Sequence, residues 1–243
     1  MIRSLLRVSP MAALLGAALL GAGCDFNLKD QKPAFTMTSE AFFNDFMNSL
    51  GGSDKYRNQV VELTGKLGAI GNSYDQTGPA VFSLEGPPGK SDRVSCFVAE
   101  RFPWREASPG QTVKIKGKGN PKLLVPSLVD CVVMEVTGDP ATKLTADELC
   151  KQQTDGVAAE KYRGNYLIVS GEIETVDFDK IGGLVFKTDG KTPKVHALFK
   201  EEDKKRYASW KPGQKVELIG LSSINPGAPI IQIVLCLPMD DPK

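Results

Sequence analysis

Apolar residues recur at two different periods along the chain, and the change of period marks the elements. Phe42, Phe43, Phe46, Met47 and Leu50 fall at i, i+1, i+4, i+5 and i+8, the stripe of a helix with one face turned to a core. The period then shortens. Val60–Leu63, Val81–Leu84, Val94–Phe97, Val113–Lys116 and Ser127–Asp130 are short, β-branched or alternating runs parted by Gly- or Pro-rich turns, which predicts five strands after the helix. Further on, Thr145 and Glu148 have capping-box spacing before Leu149 and Cys150, so a second helix is expected to start there. A helix and five short strands suit a small closed barrel, because closure removes exposed sheet edges.

The second helix belongs to a second copy of the same unit. Lys55-Tyr56-Arg57-Asn58 recurs as Lys161-Tyr162-Arg163-Gly164, and Thr64-Gly65-Lys66 is echoed by Ser170-Gly171-Glu172, both at a spacing of 106. Val81-Phe82 returns as Val185-Phe186, and Pro109-Gly110-Gln111-Thr112-Val113 as Pro212-Gly213-Gln214-Lys215-Val216, each leading into a strand that ends in Gly117 or Gly220. Each copy closes on an apolar strand carrying Cys131 or Cys236. Ordered matches at nearly constant spacing predict two tandem modules rather than one large β domain. The fold class expected is therefore mainly β, with one N-terminal helix per copy and two tandem five-stranded OB-like barrels, at 36–136 and 143–239, joined by a linker at 137–142 and followed by a tail at 240–243.

The Lys-Tyr pair before strand one, the glycine at that strand's end and the Pro-Gly-Gln-x-Val turn together resemble the tRNA-anti-like family of OB-fold lipoproteins. The terminal cysteine also fits. The resemblance implies an OB-like barrel in the cell envelope and no established activity; the family name records likeness to anticodon-binding domains and does not imply tRNA binding. Where the family often has Val-x-Cys-x-Phe on its third strand, the first copy reads Val94-Ser95-Cys96-Phe97 and the second Val195-His196-Ala197-Leu198-Phe199, without the cysteine.

The N-terminal segment reads as an address. Arg3 and Arg7 precede an apolar run from Met11 to Gly23 that is too short to span a bilayer, and Gly21-Ala22-Gly23 stand directly before Cys24 in the manner of a lipobox. Residues 1–23 are expected to be removed and Cys24 to carry the lipid; the alternative is an ordinary secretory signal with an incidental cysteine. Residues 24–35 are polar, contain Pro33 and read as a tether that lets the folded part stand off the membrane. Asp25 resembles the enteric signal for retention in the inner membrane, so the expected location is the exported side of the envelope, with the inner membrane favoured.

Composition narrows the function classes. Thirty basic and 29 acidic residues give a formal charge of +1, and the two copies carry 11 against 11 and 14 against 13, so nucleic acid is not expected as a partner on charge grounds. Four cysteines remain after Cys24 in a compartment that permits oxidation, and two intradomain disulfides, Cys96 with Cys131 and Cys150 with Cys236, are the chosen pairing; buried free thiols are the alternative. There is one histidine, His196, and no Cys-x-x-Cys, so neither a metal nor another cofactor is expected. Gly89-Lys90-Ser91 and Gly117-Lys118-Gly119 each lack a glycine that a phosphate-binding loop or dinucleotide turn requires.

The remaining recognition candidates are aromatic and basic. Phe102 and Trp104 in the first copy, Tyr207 and Trp210 in the matching connection of the second, and Lys114 and Lys116 on one strand face could line a ligand face. The same rings could equally pack over a barrel mouth, and the basic groups, including Lys204-Lys205-Arg206 beside Glu201, Glu202 and Asp203, could equally form a solvated, self-neutralising face. The expected function is non-enzymatic recognition of a protein, peptide or glycan by a lipid-anchored envelope protein; the alternatives are single-stranded nucleic-acid binding and a structural spacer.

Overall fold

A computed structural model describes residues 28–48, 52–71, 80–88, 93–98, 100, 102–120, 125–190, 192–201 and 207–240. The first copy runs β1 (Phe35–Thr38), α1 (Ser39–Asn48), α2 (Gly52–Tyr56), β2 (Val60–Gly71), β3 (Ala80–Glu85), β4 (Arg93–Val98), β5 (Thr112–Gly119) and β6 (Ser127–Thr137). The second repeats that order as β7 (Thr142–Thr145), α3 (Ala146–Thr154), α4 (Ala158–Tyr162), β8 (Tyr166–Asp177), β9 (Gly183–Phe186), β10 (Lys194–Leu198), β11 (Lys215–Ser223) and β12 (Ile230–Pro238). Each of the five strands expected in the first copy is present. Strands β2, β3, β4, β6 and β5 pair in that order and β5 returns to β2; β8, β9, β10, β12 and β11 close in the same way, with β1 and β7 added in parallel outside. The fold is thus mainly β, with two OB-like barrels in tandem.

Each recurrent motif has a structural task. The Pro-Gly-Gln turn clips the start of the fourth barrel strand onto the first: Gly110 N–H donates to Leu67 O at 2.7 Å and Leu67 N–H to Gln111 O at 2.8 Å, matched by Gly213 to Ile173 and Ile173 to Gln214, both 2.8 Å. The tyrosines of the Lys-Tyr pair are buried, and the lysine amines lie over their rings at 5.1 Å in both copies. Gly65 sits where helix α1 begins: a Cβ there would lie 2.3 Å from Ser39 Oγ, the hydroxyl that donates to Glu85 O at 2.6 Å.

Closure depends on a bulge. Asp130 and Leu235 both have positive φ, at 54° and 56°, one residue before Cys131 and Cys236, and the ladder register shifts beside each. The thiols that follow lie over glycines of the facing strand, since a Cβ on Gly117 would be 2.6 Å from Cys131 Sγ and one on Gly220 would be 3.0 Å from Cys236 Sγ. A bulge of this kind adds the local bend that a five-stranded wall needs in order to close.

The helices differ from expectation in one position. Phe42, Phe43 and Phe46 are buried, but Met47 is 55% exposed, and Leu50 lies outside the described residues. The second helix starts as its capping box predicts, with Thr145 Oγ1 accepting from Glu148 N–H at 3.1 Å and the Glu148 carboxylate accepting from Thr145 N–H at 2.7 Å.

The two barrels share a seam. Phe102 and Trp104, from the connection after β4, pack with Ala80 against Ile219, Leu237 and Met239 of the second barrel. Trp104 Nε1–H donates to Pro238 O at 2.8 Å, and Arg105 donates to Met239 O and pairs with Asp240. Truncating a buried Trp typically costs about 3–5 kcal/mol. Trp104→Ala is therefore expected to uncouple the barrels, and differential scanning calorimetry should resolve two unfolding transitions where the wild type shows one.

Candidate functional site

The aromatic candidates do not share a ligand face. Phe102 and Trp104 are consumed by the seam between barrels, while Tyr207 and Trp210 stack on each other at 4.8 Å and pack on Phe199 inside the second barrel's core. Trp104 is 2% exposed and Trp210 3%, so neither offers a ring for stacking at the surface. The reason is volume: large rings close the gaps that a loop between the third and fourth strands would otherwise leave. The adjoining basic run Lys204-Lys205-Arg206 lies outside the described residues, as does Cys24.

The lysine row is neutralised locally. Lys114 Nζ meets Glu135 Oε2 at 2.7 Å, Lys118 Nζ meets Asp130 Oδ2 at 3.2 Å, and Lys116, 4% exposed, donates to the carbonyl oxygens of Lys29 and Gln31 at 2.8 and 3.0 Å. Hydrogen bonding to Glu135 raises the Lys114 pKa, and the same pair holds the Glu135 carboxyl below its ordinary value. Lys114 and Lys116 thus hold protein groups.

The four described cysteines, Cys96, Cys131, Cys150 and Cys236, are free thiols, so the expected disulfides are not formed. Cys150 Sγ donates to Pro193 O, just before β10 begins, whereas Cys236 lies beyond Ile233, which pairs with Ala197 near the end of β10. At about 3.3 Å per residue those positions are roughly 15 Å apart, far beyond the Cα separation of about 7 Å that a bridge tolerates. Cys96 and Cys131 are neighbours across β4 and β6 but remain unbridged; burial, with a hydrogen bond shared with Cys96, pushes the Cys131 thiol well above its ordinary value.

His196 is half-buried on β10, opposite Val185 and Gln232. Burial lowers its pKa, which keeps the ring neutral at pH 7. Among the described residues no group of three or more His, Cys, Asp or Glu side chains converges on a common point as a metal site would, and no helix is long and apolar enough to cross a membrane.

A polar cleft missed by the motif search lies on the second barrel. It has a volume of about 770 Å³ and is bounded by Thr145–Asp147 at the start of α3, Ser170–Glu172 on β8, Lys187–Asp189, Lys215–Glu217 on β11, and Asp240. Lys187 Nζ pairs with Glu172 at 3.0 Å, Lys143 with Glu217 at 2.5 Å, and Asp189 N–H donates to Asp147 Oδ1 at 2.9 Å. Arg105 of the first barrel reaches the rim through Asp240, so the seam and the cleft adjoin. The capping box of Thr145 and Glu148 and the Ser170-Gly171-Glu172 motif are the sequence features that border it.

The fold resembles solved structures at low identity. A lipoprotein of Klebsiella pneumoniae subsp. pneumoniae, provisionally named for nucleic-acid binding, is 19% identical over 41% of this chain and 91% of that one, with a TM-score of 0.34. The Ifi202 HINa domain in complex with 20-base-pair double-stranded DNA is 14% identical over 73% of this chain and 94% of its own, with a TM-score of 0.33. A murine DNA-binding protein bound with double-stranded DNA is 14% identical, covers 73% of this chain and 96% of its own, and has a TM-score of 0.29. No family model matches the chain, and no curated protein matches it in sequence. At these values the likeness is one of fold. The exclusion of nucleic acid on charge grounds does not hold, because phosphate is held by local contacts rather than by net charge; DNA-bound proteins stand among the solved structures above, as likenesses alone.

Burial lifts the Cys150 thiol to about 11. The reactive thiolate is scarce below that pH, so at pH 8 the native chain should react with iodoacetamide at Cys150 at least about a hundredfold more slowly than a thiol of ordinary pKa near 8.5. Peptide mapping by mass spectrometry across a pH series should show the rate climbing toward pH 11.

Proposed function

We propose that this chain is a lipid-anchored, non-enzymatic binding protein of the bacterial envelope, in which two coupled OB-like barrels present the cleft of the second barrel to a hydrophilic partner: a protein, a peptide or a glycan. The observation that carries this reading is the cleft's chemistry. Its volume falls within the range typical of ligand sites, about 300–1,000 Å³, and its walls set hydroxyls and charges of both signs beside Ala146, Val216 and the apolar stems of the longer side chains. Such walls suit an extended ligand that exchanges its hydration for hydrogen bonds at its polar groups and lays its carbon skeleton on the apolar stems between them. The non-enzymatic part is supported by His196, a neutral ring in a strand whose register neighbours are Val185 and Gln232. The lipid anchor is supported by Gly21-Ala22-Gly23-Cys24.

The test uses the mature full-length chain against three probes: a mixed peptide library, bacterial cell-wall glycan fragments and a fluorescent single-stranded oligonucleotide. Lys187→Glu places like charge beside Glu172 at an exposed site, where loss of the ion pair costs the fold no more than about 1 kcal/mol. Binding of a peptide or glycan weakened about tenfold by this substitution supports the reading; a tenfold change corresponds to about 1.4 kcal/mol. Oligonucleotide binding that falls steeply with salt and ignores Lys187→Glu replaces it with the nucleic-acid reading. Failure of all three probes leaves the spacer.

A further inference from the structure

From the N-terminal clasp we infer that the membrane anchor is a short, locked one that turns the outer face of β5 and β6 of the first barrel toward the bilayer. This rests on acylation of Cys24, proposed above. The residues from Leu28 onward are part of the barrel's surface. Leu28–Asp30 form a single 3-10 turn packed on β5 and β6, with Leu28 buried and Gln31 N–H donating to Leu28 O at 3.2 Å. The Lys116 ammonium holds this segment by donating to Lys29 O in the turn at 2.8 Å and to Gln31 O just after it at 3.0 Å, with the Glu62 carboxylate 4.0 Å away. Ala34 N–H then donates to Val60 O at 2.8 Å, and β1 continues in parallel register along β2.

A lysine buried on a strand's outer face is costly to desolvate unless its donors are satisfied. Here the carbonyls that satisfy them come from the anchor segment itself. The clasp and the lysine therefore require one another. Leu28 is the fourth residue after Cys24, and four fully extended residue steps reach about 14 Å at most. The occupant of the space beside the clasp is therefore the lipid surface. Charge does not select it: Lys29, Lys32, Lys114, Lys116 and Lys118 stand against Asp30, Glu62, Asp130 and Glu135, and the placement comes from chain length alone.

The acylated chain in nanodiscs containing a paramagnetic headgroup lipid tests this by NMR. Amide signals of Asp30, Gln31 and Lys118 are expected to lose intensity several-fold more than those of Val81 and Ser83 on β3, the strand of the same barrel that pairs with neither β5 nor β6. Lys116→Met and, separately, Leu28→Ser, which leaves every barrel strand intact, should abolish most of that difference. Even attenuation around the barrel in the wild type, or an unchanged pattern in both variants, overturns the clasp. Mass spectrometry of the N-terminal peptide separates the two claims: an unmodified Cys24 overturns the lipoprotein reading and this membrane placement together, whereas acylated Cys24 with even attenuation overturns the clasp alone.

Discussion

Five strands make a tight wall, and it closes in each copy because the last strand breaks its own ladder just before a cysteine. The residue at the break adopts a left-handed conformation, Asp130 in one copy and Leu235 in the other. For a leucine this costs about 1–2 kcal/mol. It is retained because the break carries the strand around the corner and seats the thiol over Gly117 or Gly220 in the facing strand, where no larger side chain fits. The cysteine is thus a small apolar filler at a crowded corner, which accounts for its recurrence without any bridge. Fixing this corner sets the register of β5 against β6 and of β11 against β12, and through it which residues of those strands point outward.

That outward face is used in both copies and covered differently in each. In the second barrel Tyr166, Ile168 and Ile219 line it and receive Phe102 and Trp104 from the first barrel. The positions one repeat earlier are Val60, Glu62 and Lys116, and there the cover is the polar Leu28–Gln31 turn. One face is apolar and takes an aromatic loop; the other is charged and takes carbonyl oxygens. The wedge is matched the same way: Trp104 leaves its own barrel, while Trp210, one repeat later, stays inside and stacks on Tyr207. The repeated unit has become asymmetric, so the chain is joined end to end: N-terminal turn on first barrel, first barrel on second.

The barrels were legible in the sequence because their signals are local and repeated. The strand pattern placed the five barrel strands of the first copy but not β1, the capping box placed α3, and the Lys-Tyr and Pro-Gly-Gln motifs marked points where loops are tied to the first strand. What a strand's outer face meets is a long-range property, and it was read poorly. Lys116 has the spacing of a solvated lysine row, yet it is buried by a turn 85 to 87 residues earlier in the chain. Trp104 and Trp210 have the same flanking pattern and opposite destinations. Cys150 and Cys236 satisfy the count for a disulfide, but the length of β10 keeps them apart.

The recurrent motifs therefore say little about the ligand, since tying turns, filling mouths and closing corners absorb them in both copies. Specialisation shows where the copies differ. Beside the strand pair that links the first and fourth barrel strands, the first copy has a shallow groove of about 170 Å³ lined by Thr64, Thr112, Lys114, Glu135 and Thr137. The corresponding surface of the second copy, around Ser170 and Glu217, opens into the cleft of about 770 Å³. The same backbone geometry underlies both, so the difference comes from the side chains and from what borders them. Lys114 is tied to Glu135 across the first groove, whereas its counterpart Glu217 is drawn toward Lys143, outside the cleft lining. With Asp240 and Arg105 at the rim, the larger site also depends on the seam that holds the barrels together. On the function proposed above, one barrel is the mount and the binding surface is developed on the other.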